Sequence, residues 1–282
     1  MTRRWIVTTL ALVATATAAY LAGSMSAGYG SSGTIVERQA LGRFSRVVFL
    51  SHANNPVKTP VFPGDPAFSL TTKFTVHHDG FYLQYMKEGE HTGTHYSAPC
   101  HFHVRALCAD ELSASDFVLP AVVVDIRAKV RDDVDYHVTV ADLRSWQAHH
   151  GAFPKQAAVL LETGCDRWWS PRIGRDVPTY YNCGSAAGRF RQPGFSKAAV
   201  KWLIDKGVLG IHGALGTDTF GPDPGDDPNF VETFLTLKHH RFTIENMTNL
   251  DAMPTRGAWI VIGGPRNRDG SGAPSSVFGL IP

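Results

Sequence analysis

Beyond residue 23 the chain has no apolar run long enough to cross a bilayer. It has no basic run outside its N-terminus, and its formal net charge is only +2, so the electrostatic footprint of a nucleic-acid-binding protein is missing. No internal repeat is visible, which excludes solenoids and propellers. The four cysteines, Cys100, Cys108, Cys165 and Cys183, do not have zinc-finger spacing. The last absence is local. Residues 91–103 read His-Thr-Gly-Thr-His-Tyr-Ser-Ala-Pro-Cys-His-Phe-His and hold four imidazoles without one carboxylate among them.

What is present is ordinary for a globular protein: 282 residues, 43% hydrophobic and 18% charged, enough for a sizeable core. The N-terminus is different. Arg3 and Arg4 precede an apolar run over residues 5–23, and small residues follow to Gly30. That order predicts an export signal or an N-terminal membrane anchor over residues 1–27, a lead-in over 28–46 and the folded domain over 47–282. Thr2-Arg3-Arg4-Trp5-Ile6-Val7 also resembles a twin-arginine signal. In an exported chain a disulfide is expected, with Cys165 and Cys183 as the preferred pair.

Short apolar runs predict strands at residues 47–50, 74–76 and 81–83, and continuous ones predict buried strands at 121–126 and 157–161. Thr139 with Asp142 forms a capping box for a helix running to Ala148. Ser196 caps another through Asp205, with Ala199, Val200, Leu203 and Ile204 on one face. Residues 208–211, 241–244 and 259–262 read as strands and 229–240 as a helix, with a Gly/Pro-rich tail after them. Residues 164–195 lack periodicity and carry Trp168, Trp169, Tyr180, Tyr181 and Phe190, as a functional loop that walls a pocket would; ordinary packing explains the aromatics equally well. Early strands followed by strand–helix alternation predict an α/β fold with a mixed sheet.

The histidine run carries the chemistry. Neutral imidazole ligates transition metals and exchanges protons near neutral pH. The Thr-Gly-Thr link allows His91 and His95 to turn toward one ion, and His101, stiffened by Pro99, can act as acid/base. Were the segment a strand, His103 would share the face of His101. Glu245, at the end of an apolar strand in Glu-Asn-Met-Thr-Asn-Leu, can serve as a metal ligand or general base.

These stretches resemble the metal-dependent cyclase family, the kynurenine formamidase-like or arylformamidase-like hydrolases. Their His-x-Gly-Thr-His-x-Asp-x-Pro-x-His signature appears here over residues 91–101, with Leu50-Ser51-His52, Pro60-Val61-Phe62-Pro63-Gly64-Asp65, Glu162-Thr163-Gly164, Pro193-Gly194-Phe195-Ser196 and residues 245–250 in the same order. Gly263-Gly264-Pro265 and Ser271-Gly272-Ala273-Pro274 complete the match. The resemblance implies a swivelling β/β/α fold, a homo-oligomer and one divalent metal, Zn or Mn. It implies hydrolysis of an amide, lactam or lactone in a small substrate, with an aromatic or cyclic one suiting the loop. By position, His91 and His95 would be ligands, His101 the acid/base and Glu245 a further ligand or supporting carboxylate.

Two positions depart from the family. Ser97 stands where the family has a ligating Asp, and Thr233 where it has a His twelve residues before the Glu. A serine hydroxyl is a far poorer ligand than a carboxylate. His239 and His240 are out of register and are expected as cations at a helix end. Three alternatives remain open on the sequence: a single-metal hydrolase; metal-free chemistry by His101 with Ser97 or Cys100; and a non-catalytic binding relative.

Overall fold

The protein was analysed as a computed structural model that describes residues 44–170, 179–185 and 190–282. The expected signal or anchor and nearly all of the lead-in lie outside the described residues. No helix among the described residues is long and apolar enough to cross a membrane.

In chain order, β1 (Arg46–Phe49) leads to a ribbon of β2 (Ser69–Phe74) and β3 (Leu83–Lys87), with the helical turn α1 (Val76–Asp79) between them. Next come β4 (His95–Ser97), β5 (Val118–Asp125), α2 (Arg127–Asp132), β6 (His137–Val138), α3 (Val140–His150) and β7 (Ala158–Glu162). The remaining elements are β8 (Gly194–Phe195), α4 (Lys197–Asp205), β9 (His212–Thr217), α5 (Val231–Thr236), β10 (His240–Glu245), β11 (Arg256–Gly263), β12 (Gly272–Pro274) and β13 (Ser276–Ile281).

Nine strands form one sheet in the order β1-β13-β11-β5-β7-β9-β10-β4-β12. The middle four, β5, β7, β9 and β10, are parallel, and the flanking pairs are antiparallel. β12 and β13 stand near opposite ends of that order, yet only Ser275 separates them in sequence. A flat sheet cannot satisfy both facts, so the sheet curls into a half-barrel. The α/β fold with a mixed sheet is the one expected.

The curl gives the sheet two cores. Ala121, Val123, Ala158 and Leu160 face the concave side with Tyr96, Phe242 and Ile260. Their neighbours Val122, Val124, Val159 and Leu161 face the other side and pack on Leu143 of α3 and Leu203 of α4. A strand covered on both faces needs apolar residues at every position, which is why these segments read as unbroken hydrophobic runs. The helix starts follow their caps: Thr139 Oγ1 accepts from Asp142 N at 3.2 Å while Asp142 Oδ2 accepts from Thr139 N at 2.8 Å. Ser196 Oγ accepts from Ala199 N at 3.2 Å.

Several element boundaries differ from expectation. Residues 208–211 are a turn, because Val208 N and Leu209 N both donate to Leu203 O and close α4; the strand starts at His212. The helix expected over 229–240 spans only Val231–Thr236, since His239 takes a positive φ and His240 already begins β10. The chain at 74–76 leaves its strand at Phe74, where the Thr75 hydroxyl caps α1. The tail forms β12 and β13. Among the described residues β3 is exposed along its whole length, and Phe74, Val76, Phe81, Leu83, Tyr85 and Met86 of the β2–β3 ribbon are exposed.

Candidate active site

Register assembles the site. In the antiparallel pair of β4 with β10, Glu245 lies opposite His95 and Thr243 opposite Ser97. Directly paired residues project on the same face, so a carboxylate far down the chain meets the histidine loop side by side. Glu245 Oε1 accepts from Thr243 Oγ1 at 2.7 Å and from Ser97 Oγ at 3.3 Å. Glu245 Oε2 lies 3.3 Å from His95 Nε2.

The hydrogen bonds fix which ring nitrogens carry lone pairs. His95 Nδ1 donates to Gly93 O at 2.9 Å, and Asn246 Nδ2 donates to the same carbonyl at 2.8 Å. His95 Nε2 is buried without a well-formed hydrogen bond and faces the Glu245 carboxylate. On the other ring, Ser271 Oγ donates to Glu90 Oε2 at 2.7 Å, so it accepts from His91 Nε2 at 2.9 Å. His91 Nδ1 is then the lone pair, 3.3 Å from Ser97 Oγ, whose proton goes to Glu245. Two lone pairs and a carboxylate therefore converge around Ser97, and such a corner calls for a cation.

The charges agree. Burial alone would raise the Glu245 carboxyl, but the charge and hydrogen bond of His95, with Thr243, bring it down to about 2. Burial opposes a charge on His95, and Glu245 together with the Gly93 carbonyl outweighs it, so its pKa is raised. Without a metal a proton fills the gap between these two; a metal would displace it. Burial, then the neighbouring His95 and His101, push His91 down to about 3, which keeps it neutral and fit to ligate. Gly272 crosses behind the site. A Cβ there would stand 2.3 Å from Tyr96 O and 3.0 Å from His91 Cε1. Gly272→Ala should therefore cost on the order of 2 kcal/mol of stability and weaken metal binding, readable by thermal melting and metal titration.

His101 stands beside this cluster. Its ring lies 4.1 Å from that of His91, centroid to centroid, and lines the same cavity. Burial pulls its pKa below the ordinary value, with Glu245 working the other way. The segment is not a strand: Pro99–His101 is a 3-10 turn, which sends His103 away to donate from Nε2 to Phe234 O at 2.8 Å. A Cys100–Cys108 disulfide, unforeseen from the sequence, pins this turn, and Cys100 consequently has no thiol to act as nucleophile. A second disulfide joins Cys165 to Cys183. Cys100→Ser with Cys108→Ser should cost about 2–3 kcal/mol of stability for so short a loop and lower kcat more than it changes KM, because His101 loses its anchor.

Thr233 lines the cavity, but its hydroxyl donates to Asp223 and its N–H donates to Asp223 Oδ1 at 3.0 Å. It belongs to a helix start and makes no hydrogen bond to His91, His95 or Glu245 among the described residues. His240 does not lie at the helix end expected for it but opens β10, and its Nδ1 meets Asp116 Oδ2 at 2.9 Å. The cavity, about 440 Å³, is walled by Phe62, Phe102, Tyr181, Phe220 and Phe230, with Asp65 and Asp223 also at its lining. Of the expected aromatics only Tyr181 touches it directly. Phe190 packs behind, 5.6 Å from Phe62 and 5.5 Å from Phe220, and Trp169 stacks on His52 at 3.9 Å. The four phenylalanines were missed because they come from three separate loops, with no periodic spacing to link them.

A family model described as "Putative cyclase" matches residues 48–224. The chain belongs to the cyclase family. An isatin hydrolase of Roseibium aggregatum is 27% identical over 238 residues, covering 79% of this chain and 88% of that protein. Among solved structures, isatin hydrolase A from Labrenzia aggregata bound to benzyl benzoate superposes with a TM-score of 0.73 at 26% identity, over 84% of this chain and 93% of that one. Isatin hydrolase A from Ralstonia solanacearum gives a TM-score of 0.72 at 28% identity, over 84% and 92%. These relatives support a hydrolase of the cyclase family. For this cyclase-family chain the implied metal has a matching donor set, because the buried His95 Nε2, 3.3 Å from Glu245 Oε2, and the neutral His91 Nδ1 lie around the Glu245 carboxylate with no Lys or Arg among the described residues to neutralise it.

Proposed function

We propose that the protein hydrolyses the C–N bond of a small aryl amide, with a cyclic aryl lactam of the isatin type as the leading substrate class. The observation that carries this is the convergence of His91, His95 and Glu245 beside His101 at the wall of an aromatic cavity. The names of the relatives supply the substrate class, and a 440 Å³ cavity is of a size that takes one small bicyclic ring.

His91, His95 and Glu245 would hold one divalent ion, Zn or Mn, whose chemistry is to polarise the scissile carbonyl and acidify a water. The chain's own residues do the rest. Phe62, Phe220 and Tyr181 would hold the aryl ring and exclude bulk water. His101, neutral because its pKa is depressed, accepts a proton as water adds to the carbonyl. It then returns that proton to the leaving nitrogen. Ser97 does not attack: its hydroxyl is committed to Glu245, which it helps to orient.

The test is turnover by the Zn- or Mn-loaded protein of isatin, an N-formyl aryl amine and an aryl lactone. Ring opening of isatin, at a rate exceeding that of the linear formamide, is expected. Absence of turnover of all three by loaded protein would refute the hydrolase reading, and a preference for the lactone would replace the amide.

Two wider readings accompany this. The exposed apolar β2–β3 ribbon would be covered by a second copy of the chain in a homo-oligomer. Export is supported by pairing of all four cysteines, a state maintained in oxidising compartments.

A further inference from the structure

A second constellation lies at the other end of β10. His212 and His240 occupy the same register position on the adjacent parallel strands β9 and β10. Their rings stand 4.8 Å apart, centroid to centroid. Asp116, from the short turn Ala114–Phe117, reaches between them, with Oδ1 2.5 Å from His212 Nδ1 and Oδ2 2.9 Å from His240 Nδ1. One donor atom from each of the three residues lies within 4.8 Å of the other two.

We propose that Asp116, His212 and His240 form a separate binding site for a late transition-metal dication such as Zn²⁺. Asp116 is fully buried, and among the described residues no lysine or arginine pairs with it. The Ser113 hydroxyl and N–H, each 2.8 Å from Oδ2, hold the carboxylate in place. A rigid buried anion between two imidazoles is a donor set that matches zinc, nickel or copper in ligand type. The two rings are about one-third exposed, so solvent water can complete the coordination. β10 separates this place from Glu245 by five residues, roughly 17 Å of strand. The ion would therefore play no part in the hydrolytic chemistry. It would tie the turn before β5 to the starts of β9 and β10. The proposal does not depend on the catalytic reading.

The experiment uses the full chain, untagged, with His91→Ala and His95→Ala to silence the other cluster, titrated with Zn²⁺ by calorimetry and followed by melting. One saturable equivalent and a rise in Tm are expected. Adding His212→Gln and His240→Gln, which keep an N–H for Asp116 but remove the imidazole donors, should weaken the binding at least 100-fold and abolish the Tm rise. In the otherwise native chain the same glutamine pair should lower the zinc content by one equivalent, which keeps the test valid if the alanine pair misfolds. No saturable zinc in the alanine-pair chain, while its circular dichroism matches the native chain, would overturn the proposal. So would zinc binding or zinc content that the glutamine pair leaves unchanged.

Discussion

His101→Ala should lower kcat by about 10²–10⁴, the usual contribution of a positioned acid/base, while bound metal stays unchanged. The separation of the two readouts follows from the geometry. His101 lies beside His91, its ring tilted by 31°, but makes none of the bonds that set the lone pairs of His91 and His95, which come from Ser271 and Gly93. The pH profile should report the same residue. Its imidazole titrates below the ordinary value of 6.5 because burial disfavours the charged form. A base must be neutral to accept a proton, so activity falls as pH drops through that lowered value. The acid limb of kcat/KM should therefore lie below pH 6.5, and a cation in the adjacent cluster would push it lower still. The limb should disappear in His101→Ala. Unchanged turnover in that variant, or an acid limb above 6.5 that survives it, would assign the acid/base role elsewhere.

The sequence carried the local terms of this structure and missed the ones that depend on distant partners. β5 and β7 were legible because two-sided burial forces unbroken apolar runs, and the two longer helices because their caps are local bonds. β12 and β13 were hidden in a Gly/Pro-rich tail. Their strand character comes from pairing with β4 and β11, and Gly272 is there because β12 passes against Tyr96. The site divides in the same way. His91, His95 and His101 stand in one motif. The pairing of Glu245 with His95 is a matter of register, and the aromatic wall is a matter of which loops the curled sheet brings together. Thr233 shows the limit of positional matching: it lies in the cavity, as its place in the chain suggests, but its hydroxyl serves Asp223 and no ligand cluster.

Ser97→Asp should move metal affinity and metal-free stability in opposite directions. The Ser97 hydroxyl sits 3.3 Å from both His91 Nδ1 and Glu245 Oε1, at the centre of the proposed ligand set. A carboxylate there adds a charged ligand, so affinity for Zn or Mn should rise by on the order of 100-fold, about 2.7 kcal/mol. Without metal the same carboxylate faces the Glu245 anion at a fully buried position, where like charges disfavour one another, so the metal-free protein should melt earlier. Ser97→Asn separates charge from size: it has the same shape, leaves no second anion and should give neither the affinity gain nor the like-charge penalty. Thr233→His should add little to Ser97→Asp, because position 233 opens a helix held by Asp223. An aspartate that destabilised the metal-free chain without raising affinity would show that the ion is not held by His91, His95 and Glu245. If affinity rose equally in Ser97→Asn, the gain would come from shape, and the charge deficit at this corner would not be what limits metal binding.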